Sequence, residues 1–477
     1  MASIELNCFS PLAFFSQEHL QTIHRGALEI LETVGCELQH REALALLESG
    51  GARVEGRRVF LSASMVDQAL STAPSRVLLY NREGAPALDL SGRNACFGTG
   101  SDCLYLLDSF TGERRVFLEQ DMIDAVRLCE ALPHVDFLMS MGMISDTQAE
   151  HQCQKQYANM LKYSKKPQVV IAINRPCLDD IVELAAAAIP GGRDELKRKP
   201  RFVLYTEPTS PLLHSFEAID KLLYAAENLV PTNYAPGMMA GATGPITPPG
   251  AVTLAAAECL FGLVLHQLAG AGAPFIFGAG MSNIDMQSMQ PSYASPEAMM
   301  TQAGLCELGR TLYKLPTWGF AGCSASKLAD TQAINEAATY IFTAGLTGSN
   351  LNHDLGYLEF GLTYSFDLLV MCNESVGQLR RIMDGMPLSR ETMALDAIRE
   401  VGPAGEFLTC DHTLEHYREN WMPGVTDRNI YERWAELGSL SMEQRCKALI
   451  KAILSEPAAA YREQAIDAVL NKILASQ

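Results

Sequence analysis

Short apolar runs alternate with longer amphipathic stretches along most of the chain from about residue 136. Apolar runs of about four to eight residues bounded by turn residues predict buried strands, and longer runs with a helical period predict helices. Regular alternation of the two is typical of successive βα units around a parallel sheet. The predicted strands are residues 94–100, 137–141, 168–173, 201–205, 234–240, 274–278, 317–321 and 350–353.

Capping residues mark where two of the intervening helices begin. Ser295 precedes a proline and a glutamate, and Thr247 precedes Pro248. A hydroxyl at the N-cap followed by proline in the first turn is a helix-start signal. Together with the eight strand-like runs, these starts predict an α/β fold, specifically a TIM (β/α)8 barrel with elaborations at both ends.

The elaborations suggest three parts, with boundaries at residues 1–90, 91–384 and 385–477. Residues 17–34 have a strong helical pattern and are followed by short β-like runs; we expect this part to close the bottom of the barrel or to meet a partner. Two amphipathic helices are predicted in the last part, at residues 442–454 and 465–474. We expect this last part to be folded, because large aromatic side chains favour burial; those considered are Trp421, Tyr431 and Trp434.

Composition narrows the class of protein. Of the 477 residues, 48% are hydrophobic and 19% are charged, and the net charge is -18 with no basic block. Such a surface repels nucleic acid and anionic membranes, so neither partner is expected. The apolar stretch at 250–280 is interrupted by Glu258 and His266, which favours two buried elements over one membrane span. The 13 cysteines include no C-x-x-C pair and no export signal is evident, so we expect a cytoplasmic protein with reduced thiols.

In a TIM barrel the active site lies at the carboxyl ends of the strands. That rule selects Asn174 and Arg175 after one strand, Glu207 after the next, and His353 with Asp354 after the last. It also selects three loops, at residues 241–244, 279–280 and 322–327.

Glu207 and His353 are the candidate catalytic residues. Glu207 ends the apolar run "FVLYTEP", where a carboxylate is costly unless it meets a cation or hydrogen-bond donors. His353 is a candidate substrate contact, or else a structural hydrogen-bonded histidine. Because adjacent side chains of a strand point to opposite sides, Asp354 is expected to face elsewhere and not to form a catalytic pair with His353.

The other candidates are substrate-binding residues. Aromatic side chains near strand ends suggest the walls of a box for a quaternary ammonium group, although each of them is also a plausible core residue. These are Tyr205, Trp318, Phe320, Tyr357 and Phe360. Arg175, next to Asn174, is placed to grip a substrate carboxylate; a surface salt bridge is its alternative role.

Other chemistry has weak support in the sequence. His412 and His416 have i, i+4 spacing, but Thr413 stands where the zinc motif H-E-x-x-H needs glutamate, so no metal site is predicted. The glycine patterns "GTG", "GATG" and "GAG" match no nucleotide-binding motif. Lys327 is a Schiff-base candidate without any sign of a lowered pKa.

Four segments together resemble the trimethylamine methyltransferase superfamily of corrinoid-dependent methyltransferases. They are "GATGPITPPGAVTLAAAE" (241–258), "GCSASKLADTQAINEA" (322–337), "GYLEFGLTYSFDLLVMCNE" (356–374) and "HTLEHYRENWMPGVTDRNIYERWAELG" (412–438). The likeness extends from "EHLQTIHRGALEILETVG" (18–35) onward. One departure is Ala325, where the family's common "SDSK" form has aspartate.

The resemblance implies a TIM barrel that passes a methyl group from a methylamine to a corrinoid carried by a separate protein, which docks at the C-terminal face. All positions here are ordinary amino acids, so the chain is similar to the branch without pyrrolysine. The activities of that branch are on quaternary amines such as glycine betaine, proline betaine, carnitine and γ-butyrobetaine. No tightly bound cofactor is expected, because the corrinoid-binding motif D-x-H-x-x-G is absent. A homo-oligomer is expected.

Two alternatives remain open from the sequence. One is a TIM-barrel lyase or aldolase that uses Lys327 or Glu207. The other is a paralogue that binds betaines and has lost methyl transfer.

Overall fold

A parallel β-structure surrounded by helices forms the centre of the computed structural model, which describes residues 6–8, 11–458 and 460–476. Seven strands form two parallel sheets. One contains Gln168–Ile171, Phe202–Thr206, Thr232–Tyr234 and Phe275–Ile276 in that order, and the other contains Trp318–Phe320, Leu351–His353 and Cys96–Phe97.

Single parallel bridges continue this pairing outside the regular strands. Phe137 pairs with Gly98, Leu138 pairs with Gln168, and Thr317 pairs with Phe277. The predicted α/β fold with parallel strands is therefore confirmed. Every predicted strand overlaps an observed one except 137–141, which is reduced to the bridges at Phe137 and Leu138. The run 234–240 contains Gly237–Ala240, which belongs to another sheet; the strand of the central sheet, Thr232–Tyr234, begins just before the run.

Helices connect the parallel strands and cover them on the outside, as the alternating pattern predicted. The eight connecting or following helices are Glu119–Ala131, Gln152–Tyr163, Arg175–Ala187, Phe216–Glu227, Pro248–Ala269, Pro296–Leu308, Thr331–Thr347 and Phe366–Met383. The expected caps are present in one case: the Ser295 hydroxyl accepts the Ala298 N–H at 3.2 Å. Thr247 precedes its helix without a side-chain cap, so only the proline signal acts there.

The remaining elements lie before, between and after these units. Other helices are Gln17–Glu29, Arg41–Ser49, Ala63–Thr72, Gly192–Arg198, Leu395–Val401, Asp411–His416, Tyr431–Glu436, Met442–Ser455 and Glu463–Ser476, with short 3-10 or π turns at Ile30–Val34, Ala149–His151, Gly309–Tyr313, Glu359–Gly361 and Tyr417–Glu419. Other strands are Leu6–Cys8, Cys36–Leu38, Arg53–Glu55, Arg58–Phe60, Val77–Tyr80, Pro86–Leu90, Tyr105–Leu107, Arg114–Val116, Leu213–His214, Gly237–Ala240, Gly280–Asp285, Gln290–Ser292, Tyr357–Leu358, Thr363–Ser365 and Met386–Leu388.

A hairpin closes the amino ends of the parallel strands. Its strands, Val77–Tyr80 and Pro86–Leu90, contribute apolar side chains to a cluster with inward residues such as Val169, Val203 and Trp318. The Tyr80 N–H donates to the Pro200 carbonyl, just before a parallel strand begins. Since this end is filled by close apolar packing, the opposite end is the one that is left open for a ligand.

Helix Pro248–Ala269 is buried among its neighbours. It is the one described helix long and apolar enough to cross a membrane, with a mean hydropathy of 1.6, and 89% of that window is buried inside the protein. Strand Phe275–Ile276 follows it. The prediction of two buried elements at 250–280 is confirmed.

The last part of the chain matches its predicted helices but not its predicted aromatic burial. Helix Met442–Ser455 packs on Glu119–Ala131 and Phe366–Met383. Tyr431, however, is 73% exposed, and Trp434 is only half-buried. The prediction that these rings are buried was wrong for Tyr431, because its six-residue helix lies at the surface and has no buried residue.

Candidate active site

A cavity of ≈ 480 Å³ opens at the carboxyl ends of the parallel strands. Its size is within the range typical of small-molecule sites. Strand ends, the loops that follow them and the chain around residue 360 supply its walls. The lining residues are Ser101, Asp102, Met139, Tyr205, Glu207, Gly237, Met238, Met239, Thr243, Gly280, Ser282, Tyr293, Phe320, His353, Asp354, Tyr357, Phe360, Gly361 and Leu362.

Three carboxylates line this cavity: Asp102, Glu207 and Asp354. Burial raises the pKa of Glu207, and the Tyr205 hydroxyl, which donates to Glu207 Oε1, acts in the opposite direction. Burial also raises the pKa of Asp102. Both side chains have much surface open to the cavity, yet protein surrounds them, and this enclosure decides their pKa because it separates them from bulk water. A cation entering the cavity relieves that cost.

Two glycines leave room beside Glu207. A methyl group in place of the Gly237 hydrogen would lie 3.7 Å from Glu207 Oε1, and one at Gly280 would lie 3.9 Å from the same atom. Larger residues at either position would fill the space in front of the carboxylate. The sequence therefore places small residues opposite the one acid that sequence reasoning had selected.

His353 is held from three sides. Its ring stacks on Trp318, with 4.3 Å between ring centroids and 25° between planes, and lies 4.3 Å from the ring of Phe320. Its Nδ1 is 2.5 Å from Asp354 Oδ1. Among the atoms that the structure describes, His353 Nε2 is buried and has no hydrogen-bond partner. The ring is therefore fixed in orientation with one nitrogen unused.

The predicted orientation of Asp354 is corrected by this contact. The strand ends at His353, and Asp354 has a φ of 83°. Side chains alternate across a strand only while the backbone is extended, so this left-handed residue turns its carboxylate back to its neighbour and into the cavity. Asp354 lies in the site rather than facing elsewhere.

Four of the five predicted aromatic residues line the cavity, namely Tyr205, Phe320, Tyr357 and Phe360. Trp318 does not: it is fully buried and lies below His353 and Tyr205 in the apolar interior. The structure adds Tyr293, whose ring stacks on Phe320 at 5.8 Å. The aromatic wall therefore consists of four of the predicted rings and Tyr293, and Trp318 lies behind it.

Asn174 and Arg175 lie away from the lining of the cavity. The Asn174 side chain caps the following helix by accepting the Cys177 N–H at 2.9 Å. Arg175 is 3.3 Å from Asp220 and 3.6 Å from Glu227. Both were expected to contact substrate. The Asn174 amide oxygen instead caps a helix, and the Arg175 guanidinium forms ion pairs at the surface, which is the alternative role that the sequence analysis gave it.

Lys327 also lies outside the cavity lining. Its Nζ donates to the Ala325 carbonyl at 2.9 Å and is 4.9 Å from the centroid of the Phe360 ring. Phe360 borders both the site and a second cavity of ≈ 590 Å³ that Lys327 lines. Phe360 is therefore shared by the two cavities, whereas Lys327 lines only the second one.

Sequence reasoning missed several lining residues, above all Asp102 and Tyr293. Asp102 comes two residues after the predicted strand 94–100, which ends in "GTG", so the strand-end rule was a signal that could have found it. Tyr293 had no such signal, because it follows the hairpin strand Gln290–Ser292. The third residue of "GTG", Gly100, has a structural purpose: a side chain there would overlap the Asp354 carboxylate and the Tyr357 hydroxyl.

A family model described as trimethylamine methyltransferase matches residues 2–477. The chain belongs to the trimethylamine methyltransferase family. The glycine betaine methyltransferase of Desulfitobacterium hafniense (strain Y51) is 32% identical over 97% of this chain and 96% of its own. The trimethylamine methyltransferase MttB of Desulfitobacterium hafniense (strain DSM 10664 / DCB-2) is 31% identical over 91% of this chain and 88% of its own.

One solved structure adds a weaker likeness. The Methanosarcina barkeri monomethylamine methyltransferase (MtmB) aligns over 91% of this chain and 94% of its own, with 11% identity and a TM-score of 0.49. Membership of the family rests on the sequence matches alone. The family that the four sequence segments resembled is thereby confirmed.

Proposed function

We propose that this protein transfers a methyl group from a quaternary ammonium compound, of which betaines are examples, to the Co(I) of a corrinoid carried by a separate protein. The observation that carries the proposal is the cavity, in which aromatic rings and three carboxylates surround one space. The relatives of this protein named for trimethylamine and for glycine betaine act on compounds in which one nitrogen carries three methyl groups.

The walls suit a quaternary ammonium group. Such a group has a permanent positive charge and neither an N–H nor a lone pair, so it is recognised by ring faces and by nearby anions rather than by hydrogen bonds. Rings of Tyr205, Tyr293, Phe320 and Tyr357 surround the space next to Glu207. Each cation–π contact contributes roughly 0.5–2 kcal/mol, depending on how dry the site is.

The transfer balances without a general base. The C–N bond breaks and its electron pair stays on nitrogen, which leaves as a neutral tertiary amine. The methyl carbon forms a new bond with the electron pair supplied by Co(I), and the product is methyl-Co(III). No proton moves, which agrees with a site in which His353 is fixed by Asp354 and stacked between rings.

The residues of this chain would act by positioning. The positive charge on nitrogen declines as the methyl leaves, so the carboxylates stabilise the bound substrate more than the transition state. Their contribution is binding and orientation, which bring one methyl towards the open end of the cavity. The aromatic wall excludes water from the reacting carbon.

Several wider features belong to the same proposal. We infer that the eight parallel segments close as a (β/α)8 barrel, supported by the three single-residue bridges between the sheets. The corrinoid protein would dock over the carboxyl ends of the strands, in the cytoplasm. The division at residues 90 and 384 also remains a proposal.

The lyase or aldolase alternative gains nothing from the position of Lys327, which is not among the residues that line the site. The alternative of a betaine-binding paralogue without turnover is distinguished from the proposed function by the same experiment that tests the proposal.

In that experiment, purified protein is mixed with a corrinoid protein reduced to Co(I) and with glycine betaine, proline betaine, carnitine, γ-butyrobetaine, choline or tetramethylammonium. Methyl-Co(III) formation is followed by absorbance.

We expect methyl-Co(III) with at least one of these compounds, together with an equal amount of demethylated amine. Omission of this protein, or of the amine, should abolish the change. Tight binding of one compound with no methyl-Co(III) from any corrinoid protein tried would contradict the proposal and favour the binding paralogue.

Self-association is the expected state of the protein. Large apolar side chains with much exposed surface are concentrated in the segment 386–440. The most exposed of them are Met386, Leu408, Met422, Ile430 and Tyr431, at 69–75%. Extensive exposed apolar surface on a folded protein marks an interaction site. We expect a second copy of the chain to cover them. Light scattering after size-exclusion chromatography should give a multiple of the chain mass, and the mass of one chain at micromolar concentration would contradict it.

A further inference from the structure

The lining of the cavity contains three carboxylates and, among its described residues, no arginine or lysine. A betaine carries a carboxylate a few bonds from its ammonium group. We propose that the substrate of this protein is a quaternary ammonium compound without a carboxylate, whose remaining group is a hydroxyl or a short alkyl chain. This inference rests on the proposed function and narrows its substrate class.

The cations near the site are already engaged. Arg114, close to the mouth, pairs with Glu359 at 2.8 Å. Lys221 is buried behind the wall and its Nζ donates to the Ala172 carbonyl at 2.6 Å. Arg175 pairs with Asp220 and Glu227 outside the site. A substrate carboxylate in the cavity would therefore meet no free guanidinium or ammonium group among these.

His353 is the remaining nitrogen-bearing side chain of the wall that could meet an anion. Its Nδ1 lies against the Asp354 carboxylate, so this nitrogen carries the proton. With the proton on Nδ1, Nε2 presents a lone pair, which accepts from a hydroxyl and offers no donor to a carboxylate. The wall hydroxyls of Ser101, Thr243 and Ser282 can donate to a hydroxyl or to a carboxylate, so they do not separate the two kinds of ligand, and the charge of the cavity decides.

Electrostatics separates the two kinds of ligand more than shape does. Choline and glycine betaine have the same trimethylammonium head and nearly the same size, but one ends in a hydroxyl and the other in a carboxylate. Placing an anion among like charges in an enclosed site is unfavourable, because water screens the repulsion only weakly there. We therefore expect choline to bind at least about tenfold more tightly than glycine betaine.

A longer substrate deserves a separate test, because its carboxylate could pass Phe360 and reach Lys327 in the second cavity. The pair γ-butyrobetaine and (4-hydroxybutyl)trimethylammonium differs in the same way as the shorter pair. We expect the alcohol to bind more tightly here too. Lys327→Met should leave this preference unchanged, since Lys327 lies outside the site.

Isothermal titration of the purified protein with all four compounds measures these preferences without any corrinoid protein. Asp102→Asn should narrow the preference for choline over glycine betaine by about fivefold to tenfold, because one negative charge is removed at constant shape. If Asp102→Asn only disturbed folding, it would weaken the binding of both ligands equally and leave the ratio of their dissociation constants unchanged.

The methyl-transfer assay with the same four compounds completes the test. Faster methyl-Co(III) formation with the hydroxyl compounds supports the inference. A preference for glycine betaine or γ-butyrobetaine, in binding or in turnover, overturns it while leaving the proposed function intact. Tight choline binding with no methyl transfer from any compound supports the anionic site and contradicts the proposed function, so the two failures are distinguishable.

Discussion

Replacing Glu207 with glutamine raises KM for the quaternary ammonium substrate roughly 10- to 100-fold and lowers kcat by less than about threefold. Glu207 is the acid that the Tyr205 hydroxyl, Gly237 and Gly280 surround, and glutamine keeps its shape. The negative charge of Glu207 attracts the cationic substrate in the bound complex. This attraction weakens as the methyl group leaves, because the amine product is neutral. Initial rates of methyl-Co(III) formation against substrate concentration give both constants.

The matched control removes a carboxylate elsewhere. Glu227→Gln deletes a negative charge that pairs with Arg175 outside the cavity, so both constants should stay within about twofold of the unmodified protein, as for most surface changes. If Glu207→Gln lowered kcat by about a hundredfold with KM unchanged, Glu207 would act on the transition state, and the positioning role argued here would be wrong.

The pH dependence of KM also tests the role of Glu207. Because burial raises the pKa of Glu207, it takes up a proton at a higher pH than an ordinary glutamate as the solution is acidified. The protonated acid loses its attraction for the cation, so KM rises as pH falls through that raised pKa. Asp102 has a raised pKa for the same reason. Glu207→Gln should therefore reduce this pH dependence of KM without abolishing it.

Trp318→Ala lowers the free energy of unfolding by about 3–5 kcal/mol, the usual cost of deleting a buried large aromatic side chain. Trp318 is fully buried, and its ring supports His353 from below and contacts Tyr205. The urea midpoint measures the loss, on the assumption of one cooperative transition. Trp318→Phe, which retains a ring, should recover much of it.

Kinetics distinguish this support from contact with the substrate. Phe320 lines the cavity, so Phe320→Leu should raise KM more than Trp318→Phe does, each assayed well below its unfolding midpoint. A large rise in KM for Trp318→Phe with an unchanged urea midpoint would restore Trp318 to the substrate box in which the sequence had placed it.

The placement of Asp102 and Asp354 shows how far strand-end reasoning carries. Both residues follow predicted strands, and the rule that sites lie at carboxyl ends selected Asp354 but not Asp102. It did not say which way a side chain turns, because Asp102 and Asp354 have positive φ angles of 74° and 83°. No periodicity in the sequence encodes such a local departure from extended backbone.

The sequence by itself determined the α/β alternation, the family and the presence of Glu207, His353 and most of the aromatic rings at one end of the parallel strands. These follow from hydrophobic period and motif, which are local properties. Only the tertiary structure decided which of those residues share a cavity. It moved Trp318 beneath the site and Arg175 to the surface, and added Asp102, Asp354 and Tyr293. The charge of the cavity comes from loops that are distant in sequence and meet only after the strands have paired.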